Sequence, residues 1–395
     1  MSHAKLSPSS ASRWLNCSAS VARQDGAPDE SSEFADEGTA AHMLASWCLS
    51  ADPKLEPAAH TAVWWLGAEI KVCSEDGTVR RTFTVDEGMA SYVQVYVDAI
   101  RDRIVDDAQL FVEQKLDTGI VSKKYGPITG TGDAVIVKPS ARRIEIHDLK
   151  YGRGVKVFAR DNPQLLLYAL GVEHDYSWLS EVDEVLVAIH QPRLDHYDEH
   201  VYTMDELRYF GNAVCVAVDN LDAGATEEVP GDWCKFCPRA AVCKALEKNA
   251  HDAAFGDFEN VPDLTEHGIA AAMEKVELVE LWCAAIRAEA RRLLDSGVRV
   301  PGWTLAEGRQ GNRKWSDEKA VEAVLLAAIG ESAYKPRALL SPADAEKKLA
   351  KKLPANWSQL QALIVRGAPS IQMVREGSKE PLASSVAGDF KDIAS

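Results

Sequence analysis

The sequence predicts an α/β protein with a central mixed β-sheet flanked by helices, followed by a mainly helical C-terminal region. Three observations predict it. Two Val- and Ile-rich runs, 131–137 and 143–149, flank the turn-forming segment 138–142 with its Pro139 and Ser140, which is a hairpin signal. The run VDEVLVAIHQPR, 182–193, reads as a buried strand ending in a polar mouth. Helical patterns lie before the hairpin and between it and that strand, and the order helix, hairpin, helix, strand gives a mixed sheet packed by helices.

In chain order, LSPSSASRWLNCSAS is a turn and short helix with Cys17 at its end, and GTAAHMLASWCL is a helix containing His42. Residues 58–72 and 87–104 both read as helical. LFVEQKLDT is a short strand carrying Glu113, the hairpin follows, and Gly152 and Gly154 break the chain before a further short strand at 155–159. Asn162-Pro163 opens a helix, with Asn as N-cap and Pro at the first helical position. Gln164 and Tyr168 share a face of that helix. Residues 202–221 return to helix. Beyond Phe258 the composition shifts: 264–296 is a long amphipathic helix stopped by Gly297, GWTLAEGRQGNRKW a small hairpin with Arg309, Arg313, Lys314 and two tryptophans, and 320–329 and 342–352 are helices. The expected organisation is a first domain over 1–250, a mainly helical domain over 251–375 making DNA or partner contacts, and a flexible tail over 376–395.

With 395 residues, 46% hydrophobic and 26% charged, the chain supports a sizeable core. Its N-terminal residues lack the apolar stretch of a secretory signal and no apolar run is long enough to span a bilayer, so the expectation is a cytoplasmic protein with no membrane partner and no disulfides. A net charge of −16 argues against general nucleic-acid affinity. The segment 123–160 departs from this, with nine basic residues against three acidic ones.

That basic segment surrounds the candidate site. A turn centred between Ser140 and Ala141 pairs residues whose numbers add to 281, which sets Asp133 opposite Asp148. Alternation turns Lys150 the same way as Asp148. Like charges opposite each other destabilise a sheet, and a divalent cation such as Mg²⁺ or Mn²⁺, which takes oxygen ligands, would account for them. Lysine beside such a site would position or help deprotonate a water for phosphodiester hydrolysis. A solvated hairpin with ordinary surface charges is the plain alternative. His42, among Ala, Met and Leu, reads by itself as a packed or surface histidine.

Cys234, Cys237 and Cys243 form a C-x2-C-x5-C pattern, the spacing of metal ligands in a reducing compartment. Cys17 is the expected fourth ligand, because Cys48, Cys73, Cys215 and Cys283 lie in apolar or helical surroundings and read as buried thiols. Zinc and a [4Fe–4S] cluster both accept four thiolates, and spacing does not decide between them.

Together, His42 in GTAAH, Asp133 in GTGDAV, Asp148-Leu149-Lys150 and Gln164-x-x-x-Tyr168 resemble the RecB-like branch of the PD-(D/E)xK nuclease superfamily, in particular its phage-encoded members, over about residues 6–245. The resemblance implies a restriction-endonuclease-like core. It makes His42, Asp133 and Asp148 metal ligands with the Leu149 carbonyl a further one, and Lys150 the residue that serves the attacking water. Glu113 matches an acidic position on the strand before the hairpin, while Gln164 and Tyr168 would contact the nucleic-acid strand, with Arg153 and Lys156 nearby. One cysteine before these motifs and three after them is similar to the AddB and CRISPR-associated exonuclease branch, which implies a structural [4Fe–4S] staple. The implied function is a metal-dependent DNA exonuclease resecting DNA ends in phage recombination or replication, with a single-strand-binding or annealing protein as partner and homo-oligomerisation open. Competing expectations are a non-catalytic nucleic-acid-binding or scaffold protein with a structural metal–cysteine site, and a zinc-ribbon module on an inert domain.

Overall fold

The structure, a computed structural model, describes residues 5–24, 32–51, 58–74, 76–176, 182–255, 266–308, 313–335, 338–350, 352–366 and 371–375. The chain divides into two compact units, Met1–Trp282 and Cys283–Ser395. The tail expected over 376–395 lies outside the described residues, as does Arg309.

The first unit begins with α1 (Ala11–Asn16), α2 (Ala19–Arg23) and α3 (Glu33–Ser50). Ser32 caps α3 by accepting the Ala35 N–H at 3.1 Å, and acidic Glu33 and Asp36 sit at the positive end of its dipole. A two-stranded antiparallel hairpin follows, β1 (Glu69–Cys73) with β2 (Val79–Thr84), where helix was expected over 58–72. Only residues Ala62–Trp65 form a short 3-10 turn there. Gly67 takes φ 82, and from Glu69 onward burial alternates, with Ile70 and Val72 inside, so period 2 prevails over helical spacing. Asp36, fully buried, pairs with Arg80 and Arg81 and ties this hairpin to α3.

Helix α4 (Glu87–Arg101), capped by Asp86 accepting from the Met89 N–H at 2.7 Å, precedes the central sheet. Its strands are β3 (Gln109–Ser122), β4 (Gly126–Lys138), β5 (Arg143–Leu149), β6 (Glu184–Gln191) and β7 (His196–Thr203), in spatial order β3-β4-β5-β6-β7. All neighbours are antiparallel except β5 and β6, which run parallel and are joined by α5 (Pro163–Tyr176). β6 is buried from Val185 to Gln191, the pattern of a strand covered on both faces. Strand β7 was not anticipated: His-Tyr-Asp-Glu-His-Val-Tyr alternates but has few apolar residues, as suits a sheet edge. The strand expected over 155–159 is an irregular segment instead.

Strand alternation divides the core. Val135, Val137, Ile144, Ile146, Val185 and Val187 pack with α5 and with α6 (Met204–Asp222), while Ala134, Ile136 and Leu149 pack with α3 and α4. Thr203 and Glu206 form a reciprocal capping box at the start of α6. The unit continues through α7 (Lys244–Phe255) into α8 (Glu266–Asp295), the predicted long helix.

The second unit holds β8 (Trp303–Glu307), β9 (Arg313–Trp315), α9 (Glu318–Ile329), β10 (Tyr334–Lys335), β11 (Ala338–Leu339), α10 (Pro342–Leu349), α11 (Pro354–Gln361), β12 (Ile364–Arg366) and β13 (Ile371–Arg375). The hairpin expected around Trp303–Trp315 is not formed: β8 pairs with β13 and β9 with β12. Trp315 packs on a small core of Val321, Leu325, Leu349 and Trp357, and its indole N–H donates to the Leu340 carbonyl at 2.8 Å, which gives it a structural place.

Candidate functional site

The β4–β5 ladder follows the predicted register, Lys138 opposite Arg143 through Ala134 opposite His147. Asp133 and Asp148 stand one step beyond its last rung. Asp148 has the parity of Ile146, on the face covered by α5, whereas Asp133 stands where the alternation slips, since Gly132 turns toward Leu116 and Val135 while Ala134 packs with α3 and α4. β3 brings Glu113 beside Asp133 in the same way, between the Val112–Ala134 and Gln114–Gly132 pairs. Glu113 has φ 49, a left-handed backbone that a branched-chain-free acidic residue rarely adopts without a tertiary reason.

Two sets of contacts meet there. In the first, His42 Nδ1 of α3 lies 3.2 Å from Asp133 Oδ1, and the Leu149 N–H donates to Asp133 Oδ2 at 2.8 Å. One ligand atom from each of His42, Glu113 and Asp133 lies within 4.8 Å of the others. In the second set, Lys150 Nζ donates to Asp148 Oδ1 at 3.1 Å and to Gln164 Oε1 at 3.0 Å. Gln164 Nε2 in turn donates to Asp148 Oδ1 at 3.3 Å and to the Tyr168 hydroxyl at 3.0 Å. Asp148 Oδ2 lies 2.9 Å from Lys150 Nζ but off the angle of a hydrogen bond, so this buried oxygen has a charge contact and no hydrogen-bond donor.

Helix α5 positions Gln164 and Tyr168 because Asn162 Oδ1 accepts the Gln164 N–H at 3.1 Å and Pro163 supplies the first helical residue, as the sequence predicts. Tyr168 rests against Gly130, where no Cβ intervenes.

The charges are mutually dependent. Burial opposes the His42 imidazolium, yet Asp133, its hydrogen bond and the Asp148 charge outweigh burial and raise His42 to about 9. Burial would raise Asp133, but His42, the Leu149 N–H and Lys150 hold it low. Asp148 is raised by burial, Lys150 offsetting only part of this and Asp133 adding to it. Desolvation and then Asp133 push Glu113 up to about 7. Lys150 is raised because Asp148 and Asp133 outweigh its desolvation, so it carries its proton at neutral pH. Two carboxylates and an imidazole nitrogen within ligand reach of one point, together with the donor-free Asp148 oxygen, fit a hard divalent cation such as Mg²⁺ or Mn²⁺. Leu149 enters the site through its N–H. Arg153 and Lys156 are exposed on the segment between Lys150 and Gln164, and neither forms an ion pair among the described residues.

The four cysteines singled out line one cavity, with Arg13 and Ser20. Three hydrogen bonds draw the N-terminal segment onto the later one: Arg13 Nη1 to the Phe236 carbonyl at 2.6 Å, Ala19 N–H to the Glu227 carbonyl at 3.1 Å, and Glu227 N–H to Ser18 Oγ at 2.8 Å. Burial pushes the Cys234 thiol up to about 11, so it is protonated unless a metal displaces the proton. Arg13, a cation beside Cys17 and Cys237, was not anticipated from sequence. Of the cysteines read as buried thiols, only Cys48 is buried. Cys73, at the end of a two-stranded hairpin, and Cys215, on the solvent side of α6, are exposed, and Cys283 is partly so.

Among the described residues no helix is long and apolar enough to cross a membrane. A solved structure titled "Crystal structure of SSO0001" is similar to 39% of the chain at 17% identity, with 71% of that chain covered and a TM-score of 0.23. The family model described as "Protein of unknown function (DUF2800)" matches residues 3–381, and the chain belongs to that family.

Proposed function

We propose that this protein is a metal-dependent deoxyribonuclease of the RecB-like type, acting on DNA ends. The observation that carries the reading is the meeting of His42, Glu113 and Asp133 within 4.8 Å with the hydrogen-bonded Asp148, Lys150 and Gln164 group at the end of the β4–β5 ladder. His42, Glu113, Asp133 and Asp148 would hold Mg²⁺ or Mn²⁺, with the Leu149 carbonyl as a further ligand. Such a cation, when bound, polarises a phosphoryl oxygen and lowers the pKa of a coordinated water.

The residues themselves divide the remaining work. Lys150 is cationic, so it serves as a donor that orients the attacking water and offsets charge growing on the phosphate, rather than as the base. Gln164 fixes the direction of the ammonium by accepting from Nζ, and it orients Tyr168 toward the strand that carries the scissile phosphate. Asp133, held ionised by His42 and the Leu149 N–H, keeps a carboxylate available to the cation.

The cysteine cavity gathers Cys17, Cys234, Cys237 and Cys243 as four thiols around one space, and the resemblance to the AddB and CRISPR-associated exonuclease branch favours a [4Fe–4S] staple there over zinc.

The test is cleavage of end-labelled linear DNA and of closed circular DNA with Mg²⁺ or Mn²⁺. Linear DNA should be degraded and circular DNA spared, and Asp148→Ala and Lys150→Ala should each lose about 10²-fold or more of the rate. Undiminished cleavage by both variants would sink the reading.

A further inference from the structure

The segment 151–162 leaves the site at Lys150 and returns to it at Gln164, whose Oε1 lies 3.0 Å from Lys150 Nζ. Its backbone is pinned although it belongs to no strand. The buried Gln191 side chain donates to the Val155 carbonyl at 3.0 Å and accepts the Val157 N–H at 2.7 Å, replacing a strand partner. The Ala159 N–H donates to Asp198 Oδ2 at 2.7 Å, the Asp161 N–H to the Tyr202 hydroxyl at 2.6 Å, and Asn162 Nδ2 to the Phe158 carbonyl at 3.1 Å. Gln191 follows His190, whose carbonyl accepts the Lys150 N–H at 2.8 Å, so the loop is fixed at the same end of β6 as the catalytic lysine.

Tyr151, Val157 and Ala159 turn inward, but other side chains of this ordered segment are left to solvent. Phe158 is 57% exposed and Val155 53%, with the Phe158 ring held T-shaped to His196 at 5.3 Å. Arg153, Lys156 and Arg160 are exposed between and beside them, with Arg160 3.7 Å from its largely exposed neighbour Asp161. A chain of net charge −16 thus presents cations interleaved with an exposed aromatic ring beside its candidate site. A ligand that offers both phosphates to the cations and an unpaired ring face to the phenylalanine is a nucleic acid single strand. A duplex hides its base faces in the stack.

We infer that the 151–162 loop is a single-strand platform: Phe158, flanked by Val155, stacks on an unpaired base of single-stranded DNA while Arg153 and Lys156 pair with its phosphates. The choice of DNA and the closeness to the cut rest on the nuclease reading of the neighbouring site; the platform itself does not.

The test measures fluorescence anisotropy of labelled oligothymidylate, of a blunt duplex of equal length and of oligouridylate, in EDTA so that nothing is cut. Phe158→Ala should weaken oligothymidylate binding about tenfold and leave the duplex nearly unchanged, and Phe158→Trp should restore it. Arg153→Ala and Lys156→Ala should weaken both DNA forms and each reduce the salt slope by about one. Because Phe158 is exposed, its alanine variant should melt with the wild type. Oligothymidylate binding unaffected by Phe158→Ala, or an equal loss on the duplex, would overturn the platform, and oligouridylate bound as tightly with the same Phe158 dependence would overturn DNA as its occupant. Asp148→Ala, measured alongside, separates the two readings: if it still cuts, the nuclease assignment fails while the Phe158 comparison in EDTA stands by itself.

Discussion

Tyr168 lies so close over Gly130 that a Cβ built on the glycine would come 2.7 Å from its ring, with Pro8 Cγ at 2.8 Å on the same side. Neither neighbour is a flexible chain end, because Tyr168 is buried in α5 and bonded to Gln164, and the proline ring is rigid. Gly130→Ala should therefore displace the Tyr168–Gln164–Lys150 chain. The expected result is a loss of about 1–3 kcal/mol in chemical unfolding together with a cleavage rate well below wild type. A variant as stable and as active as wild type would show that the Tyr168 ring has no fixed place in the site.

Metal affinity should depend on pH through two named groups. His42 is raised to about 9 and Glu113 to about 7, and both must lose a proton before they can ligate. Binding therefore strengthens as pH rises, by about tenfold per unit between 7 and 9, where of these two ligands His42 alone stays mostly protonated, and more steeply below 7, where Glu113 joins it. Calorimetric titration with Mn²⁺ in buffers of different ionisation enthalpy counts the protons released. His42→Gln should remove the dependence between pH 7 and 9, and persistence of that slope in the variant would mean that another group releases the proton.

The geometry around Asp133 and Asp148 was largely legible because its determinants are local. Pro139 and Ser140 mark the turn, β-branched residues mark both arms, and the alternation rule does the rest, so the 281 register follows from about a dozen neighbouring residues. Asn162-Pro163 was legible for the same reason. What was lost depends on distant partners. The Trp303 and Trp315 strands look like the two arms of one hairpin, yet each pairs with a strand about 50 or more residues away, and nothing in either strand names its partner. The left-handed backbone at Glu113 and the Gln191 contacts that replace a strand at 155–157 come from tertiary hydrogen bonding, which leaves no periodic trace. The β1 strand was hidden because Ala-Val-Trp-Trp-Leu before it is apolar at helical spacing.

If the cysteine cavity holds a [4Fe–4S] cluster, protein purified without oxygen should be brown, with broad visible absorbance and about four irons per chain. Cys234→Ser should lose that colour. The cluster would join Cys17 to Cys234, Cys237 and Cys243 across most of the first unit, so its loss should also lower the melting temperature by several degrees. Colourless protein with about one zinc per chain would replace the cluster with zinc.

Acid should unfold the protein through a buried histidine pair. His147 Nδ1 lies 3.1 Å from His190 Nε2, and His147 Nε2 lies 3.3 Å from Glu145 Oε2, which is consistent with His190 donating to His147 and His147 donating to Glu145. Burial, then the charges of His147 and Arg103, depress His190 to about 2, and burial outweighs Glu145 to depress His147 as well. The unfolded chain protonates these rings below about 6.5 while the fold holds them back, so the unfolded state binds more protons and stability falls as pH drops from 6.5. His190 costs about 1.4 kcal/mol per pH unit below that point, and His147 acts in the same direction. Glu145, depressed to about 2 by His147 and Lys138 against its burial, adds loss in the same direction between about 4.5 and 2. His190→Phe keeps an aromatic ring against Tyr96 and Tyr197 while removing one titrating group. Urea unfolding from pH 7 to 4 should show a shallower decline for His190→Phe than for wild type, and parallel declines would assign the acid sensitivity to other groups.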